Sequence, residues 1–317
     1  MKHLHILTLL LLCLASCSTK QRTCLPADIK PMTFEKVRLE DDFWRPRLET
    51  QKQTLVPHAL EQTELAVENL RRTGNYLKNG SKQKLLKAPR FVASDLFKVM
   101  EGAACLLTLE KDEALEKRMD EIIDVIANAQ CEDGYLYEFL TVEPSMAYLT
   151  KTSGYERYSA VEHSHELYNM GHMYEAAIAY YKATGKRKFL DIAEKNAQHI
   201  NKVFFDGDPA YNDGKPVNQA PGHQEIELAL VKLYEATGNR QYLDMARRFI
   251  DIRGVSFTDT SILRGLKYSQ QHMPVREQRT AEGHSVQKIL TTATIPPYIS
   301  LIRQTRSQMS MNLRTVS

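Results

Sequence analysis

The chain has 317 residues, 43% of them hydrophobic, which is ample for one large core or two smaller ones. Acids and bases nearly cancel at a net charge of +3, so there is no electrostatic case for a nucleic-acid partner. None of the five cysteines forms a Cys-x-x-Cys pair, so a zinc site has no support from spacing and no residue is assigned as a metal ligand.

At the N-terminus, Lys2 and His3 precede an apolar run from Leu4 to Leu14. That run is short for a bilayer span and small residues follow it, so it reads as a secretory signal. Leu14-Ala15-Ser16-Cys17 resembles the lipobox of bacterial lipoproteins, whose cysteine is acylated. An ordinary signal peptide with a chance cysteine is the rival. The expectation is a signal over residues 1–17, lipidation at Cys17 and a tether over 18–33. It places the protein in the bacterial periplasm or at the outer membrane or cell surface, touching membrane only through its lipid. Cys105 and Cys131 sit on apolar helical patterns and are expected to be buried free thiols.

Phe34 to Leu39 carries a weak strand signal, followed by Asp42-Phe43-Trp44 and a helix from about Thr50 to Arg72. After a glycine- and lysine-rich loop to Lys87, Ser94 or Asp95 should cap a helix with Leu96, Val99, Met100 and Ala103 on one face. Its partner spans Glu113 to Ala129, with Leu115, Met119, Ile122 and Ile126 inward. Gln130 to Leu136 reads as a helix exit into an Asp133-Gly134 turn. A long loop over residues 137–162 holds Tyr148, Tyr155 and Tyr158, and loops of that length in a domain are usually functional or disordered. Ser164 then caps a helix with Leu167, Met170, Tyr174, Ala177 and Tyr181 at helical spacing, ending at Gly185. Gly171, Ala176 and Ala179 on its other sides predict burial on more than one side. A second helix with Leu190, Ala193, Ala197, Ile200 and Phe204 must return antiparallel.

Residues 181–193 and 234–246 match at eight of thirteen positions, 53 residues apart. Each copy is a helix end, a Thr-Gly turn and the next helix start, and Glu113 to Ile126 looks like a third, degenerate second helix. Repeated hairpins bury their faces by stacking. Long units with inserted loops predict an all-α fold, an incomplete (α/α) toroid of roughly seven or eight helices. Its inner helices should converge on a pocket at the end carrying the 137–162 loop.

His165, His223 and His284 each stand at the start of an expected inner helix. The helix dipole disfavours a cation there, so each should be neutral and able to bond sugar hydroxyls. Singly, each could simply cap its helix; three at matching positions point to a shared pocket. His163 and His172 are less regular and read as structural. Glu166, Glu225 and Glu227 fit the ordinary preference of first helical turns for acids, and Asp133 fits its turn. The loop tyrosines are equally readable as sugar-stacking or as packing.

Three stretches carry a family resemblance: Ser164-His165-Glu166-Leu167-Tyr168-Asn169-Met170-Gly171-His172, Gly222-His223-Gln224-Glu225-Ile226-Glu227-Leu228-Ala229-Leu230 and Ala281-Glu282-Gly283-His284-Ser285-Val286. They are similar to glycoside hydrolase family 127, the β-L-arabinofuranosidase group. Asp42-Phe43-Trp44, Ala129-Gln130 and Asp133-Gly134-Tyr135-Leu136 agree in order and spacing. The resemblance covers residues 34–286. It implies an (α/α)6 catalytic barrel and retaining hydrolysis of a terminal L-arabinofuranose or related sugar of plant glycans. It also implies that His165, His223 and His284 hold the sugar.

The resemblance further implies an acid/base glutamate and a zinc-bound cysteine nucleophile after the segment matching His284. This sequence has no Asp or Glu after Glu282 and no Cys after Cys131. Residues 287–317 are therefore expected to be a non-family tail, and the chain to hold most of a sugar pocket without catalytic residues. It carries no cofactor of its own, zinc being expected only in the full-length family. Rivals are another toroid enzyme (an epimerase or an unsaturated glucuronyl hydrolase), a non-catalytic glycan-binding lipoprotein, and a helical scaffold without a small-molecule site.

Overall fold

The computed structural model describes residues 36–150 and 153–252, and among these every regular element is helical. The helices are α1 (Trp44–Thr50), α2 (Val56–Gln62), α3 (Glu64–Asn79), α4 (Val92–Leu109), α5 (Glu113–Ala129), the short α6 (Glu138–Thr141), α7 (Glu166–Thr184), α8 (Lys188–Asn201), α9 (Ile226–Thr237) and α10 (Arg240–Ile252). Three hairpins result, α4–α5, α7–α8 and α9–α10, while α2 runs into α3 through the single residue Thr63. The inner helices α2, α4, α7 and α9 pack side by side in that order. The outer helices α3, α5 and α8 follow the same order, and α10 packs on α9. This is an arc of an (α/α) toroid, as the repeat predicted. The degenerate copy falls on α5, the outer helix of its own hairpin.

Each repeat copy owes its turn to two residues. Gly185 and Gly238 take the left-handed conformation at φ 73° and 74°, and their N–H groups bond Tyr181 O and Tyr234 O at 2.8 and 2.7 Å. The preceding threonine closes the turn. Thr184 Oγ1 donates to Tyr180 O and accepts from Lys186 N; Thr237 Oγ1 does the same with Leu233 O and Asn239 N. Orphan groups at both helix ends are thereby satisfied.

Helix α7 is buried on most of its circumference: Leu167, Met170, Met173, Tyr174, Ala177, Ile178 and Tyr180 are all buried. It is the central inner helix, between α4 and α9. Outer α8 buries one face, through Phe189, Leu190, Ala193, Asn196, Ala197 and Ile200.

Four expectations on local structure are corrected. The helix expected from Thr50 to Arg72 is interrupted by π turns over Gln51–Leu55 and again at Thr63. Pro57 explains the first break, since it has no N–H and its ring crowds the preceding turn. Helix α4 begins at Val92, ahead of the expected cap; Ser94 lies inside it and donates to Phe91 O at 2.7 Å. His165 rather than Ser164 directly flanks α7 and makes no side-chain cap, although Ser164 Oγ does accept from the orphan N–H of Glu166 at 3.5 Å. Residues 36–39 form no strand, and Phe34 lies outside the described residues.

Candidate functional site

Loop 137–162 docks at the start of α7 through one buried carboxylate. Glu166 Oε1 accepts from Tyr135 Oη at 2.5 Å and from the backbone N of Tyr158 at 3.1 Å. Tyr137 Oη donates to Ser164 O at 2.9 Å. A second cluster clamps the loop from outside. Arg157 reaches Asp133 Oδ2 at 3.2 Å, Tyr211 Oη at 3.0 Å and Cys131 Sγ at 3.3 Å, and its guanidinium lies 4.0 Å from the Tyr135 ring centre. Burial opposes ionisation of Asp133, but hydrogen bonds from Tyr135 N and Tyr211 and the charges of His199 and Arg157 hold it below the ordinary carboxylate range. Glu166 and Asp133 thus serve the fold, as their positions suggested.

This docking fixes His165. Its φ of 64° is left-handed, a conformation that costs a non-glycine residue about 1–3 kcal/mol. Its Nδ1 sits 2.7 Å from His163 O. A carbonyl can only accept, so Nδ1 carries the proton and Nε2 is left as an acceptor. Burial, reinforced by the proximity of His223 and Arg90, lowers its pKa to about 4. The imidazole is neutral as expected, but desolvation rather than the helix dipole is the leading cause.

His223 lies across from it on the segment entering α9, the two ring centres 5.1 Å apart. Tyr168, one turn into α7, stands 5.6 Å from His165 and 5.1 Å from His223, and its hydroxyl accepts from Lys98 Nζ of α4 at 2.9 Å. Phe91, 39% exposed just before α4, closes the group 5.4 Å from His165. The starts of three inner helices therefore converge on one aromatic and imidazole surface. The matched placement of His165 and His223 was legible in the sequence; Phe91, Tyr168 and Lys98 were not singled out. His284 lies outside the described residues, as do Cys17 and residues 287–317.

Tyr158 is buried against Tyr135, His199, Phe204 and Tyr211, so it packs rather than stacks on a ligand. Tyr148 and Tyr155 are exposed, and Cys105, expected to be buried, is only partly so.

Behind Tyr168 lies a second polar group. The His172 ring is 4.7 Å from the Tyr168 ring, and its Nδ1 is 3.2 Å from Glu225 Oε1 and 3.6 Å from Glu175 Oε2. Lys232 of α9 pairs with Glu175 and approaches Glu101 of α4 at 3.7 Å. Burial, then the neighbouring Glu175, drives the Glu225 carboxyl far above the usual range. Burial acts the same way on Glu175, but His172 and Lys232 outweigh it and hold that group low. His172, read as structural from its irregular position, thus links the histidine surface to a carboxylate cluster. Its three-residue spacing from Glu175 was visible; the approach of Glu225 from another helix was not.

A sequence model of the β-L-arabinofuranosidase GH127 catalytic domain matches residues 36–312. This chain belongs to the GH127 family. The match runs beyond Val286, where the quoted motifs end. The chain is 37% identical over 211 residues to a non-reducing end β-L-arabinofuranosidase of Bifidobacterium longum subsp. longum, across 62% of this chain and 30% of that protein. A solved GH127 β-arabinofuranosidase superposes with a TM-score of 0.70 at 38% identity, over 87% of this chain and 42% of that one. A GH127 β-L-arabinofuranosidase from Geobacillus stearothermophilus T6 gives a TM-score of 0.63 at 34% identity, over 81% and 40%. The chain thus spans under half the length of each of these relatives. The arc of stacked helices is the GH127-type toroid over that shared portion.

Proposed function

We propose that this chain supplies the sugar-recognising part of a β-L-arabinofuranosidase-type catalytic domain, with His165, His223 and His284 holding a terminal L-arabinofuranose or related sugar of plant glycans. The pairing of His165 with His223 at 5.1 Å supports this, because it brings together two residues 58 positions apart at the starts of adjacent inner helices. Nε2 of His165 can accept a hydrogen bond from a sugar hydroxyl, and the faces of Phe91 and Tyr168 can take the apolar side of a furanose ring. The neutral state of His165 keeps that acceptor available through the physiological range.

Bond cleavage with retention needs a nucleophile and an acid/base group flanking the glycosidic bond. Glu166 is committed to Tyr135 and Tyr158. Among the described residues, no cysteine belongs to a group able to hold a metal, so no step is assigned to the zinc that the family resemblance implies. The sequence after Glu282 offers no acid, and after Cys131 no thiol. This chain is therefore proposed to bind the sugar without turning it over, tethered through an acylated Cys17 to a bacterial envelope membrane and facing away from the cytoplasm.

Titrating the chain with methyl β-L-arabinofuranoside and following the histidine ring protons by NMR tests the site. Saturable shifts are expected, with affinity falling about tenfold, some 1.4 kcal/mol, in His165→Ala and in His223→Ala. Shifts that never saturate, or variants that bind like the parent, would refute the site. No turnover of an aryl β-L-arabinofuranoside is expected with or without zinc. Zinc-stimulated hydrolysis would overturn the separation of binding from catalysis.

A further inference from the structure

The group behind Tyr168 has the donor set, spacing and charge of a cation site. One imidazole nitrogen and one oxygen from each of two carboxylates, those of His172, Glu175 and Glu225, lie within 4.8 Å of one another. A zinc ion bound at about 2.0–2.2 Å by such ligands holds neighbouring donor atoms about 3.3 Å apart in a tetrahedral shell. The spacings from His172 Nδ1, 3.2 Å to Glu225 and 3.6 Å to Glu175, bracket that edge.

Hydrogen bonding leaves these atoms unused. Glu225 is 1% exposed, yet neither of its oxygens has a hydrogen-bond partner, and neither has His172 Nδ1. Buried polar atoms are nearly always satisfied, so two unsatisfied carboxylate oxygens and an imidazole nitrogen facing one another call for a shared partner. Glu175 divides its oxygens, Oε1 going to Lys232 and Oε2 turning toward His172. The Lys232 ammonium is already shared by Glu175 and Glu101. Buried charges need compensation close at hand.

The backbone is shaped for the same approach. A Cβ on Gly171 would meet Glu225 Cγ at 2.6 Å, so only glycine lets Glu225 come this close to α7. His172 and Glu175 share one face of α7 at three-residue spacing. Two ligands on one rigid helix and a third at the start of the next give a preorganised set.

We propose that His172, Glu175 and Glu225 bind one zinc ion, completed by water, that ties the start of α9 to α7 and thereby sets His223 against His165. Imidazole with carboxylates suits zinc among the divalent metals, and manganese or iron would compete by availability. No cysteine takes part, so this ion is distinct from the thiolate-bound zinc implied by the family resemblance. The role at His223 rests on the proposed sugar site, whereas zinc binding is read without any sugar, so the two can fail separately.

The full chain, stripped with a chelator, is titrated with zinc by calorimetry, and its metal content is measured after dialysis. One equivalent is expected, with at least about tenfold weaker binding in Glu225→Gln and in His172→Gln, each checked for helicity by circular dichroism. Cobalt(II) in place of zinc should give ligand-field bands without a thiolate charge-transfer band; that measurement decides the matter if both variants unfold. No stoichiometric zinc, undiminished affinity in a folded Glu225→Gln variant, or a thiolate band from cobalt would overturn the site. The first of these outcomes would mean that a proton shared between Glu175 and Glu225 supplies the compensation instead.

Discussion

Glu138 shows how far one buried carboxyl can shape the pH response. It is 1% exposed at the start of α6, and its Oε1 has no partner. Burial raises its pKa from 4.5 to about 7. The folded chain thus keeps a proton that the unfolded chain releases above about pH 4.5. Stability is fully present below that value and is lost as pH rises toward 7, by on the order of 3 kcal/mol. Glu138→Gln should remove this loss. Urea unfolding at pH 5 and pH 8 is expected to show a variant close to the parent at the lower pH and clearly more stable at the higher one. Equal stabilities at pH 8 would show that Glu138 ionises freely in the fold. At this scale the sequence was only partly legible. His165 and His223 declared themselves by position, whereas the strain at His165 and the burial of Glu138 left no mark in the sequence, and Glu166 is satisfied by Tyr135 and Tyr158, which no local pattern pairs with it.

Among the elements, the glycines separate turns that can be altered from contacts that cannot. Gly134 has φ 97°, and a Cβ there would lie 2.6 Å from Lys195 O, backbone that cannot step aside. Its own carbonyl accepts from Asn196 Nδ2 at 2.9 Å and from Gln130 Nε2 at 3.1 Å, locking the turn after α5 onto α8. Gly238 shares the left-handed geometry, but a Cβ there meets nothing within 4 Å. Gly238→Ala should therefore cost about 1 kcal/mol, and Gly134→Ala about 2–4 kcal/mol from strain and clash together. Thermal melts of the two variants check the ranking, and comparable losses would contradict it. The Thr-Gly turns could be read from sequence because every contact that makes them is local. The π turns before Pro57 left a trace only in that proline, and the pairing of inner helices left none beyond the repeat itself.

At the scale of the whole molecule, the repeat gave the toroid and the family motifs gave its kind, because stacked hairpins bury the same face in each unit. What carries the chain to its place of work is proposed to be Cys17, outside the described residues. Cys17→Ala should move the protein from the membrane to the soluble fraction on cell fractionation, while an unchanged distribution would exclude the lipid anchor. Glu166 has a different consequence. Its bonds to Tyr135 and Tyr158 hold the 153–164 segment down one residue from His165, so this side of the proposed sugar site is set during folding. If the proposed function holds, a sugar arriving there finds that segment already placed, and less conformational entropy is lost on capture. The association rate should then be governed by diffusion and desolvation, and the speed of release by how well the imidazoles fit the hydroxyls.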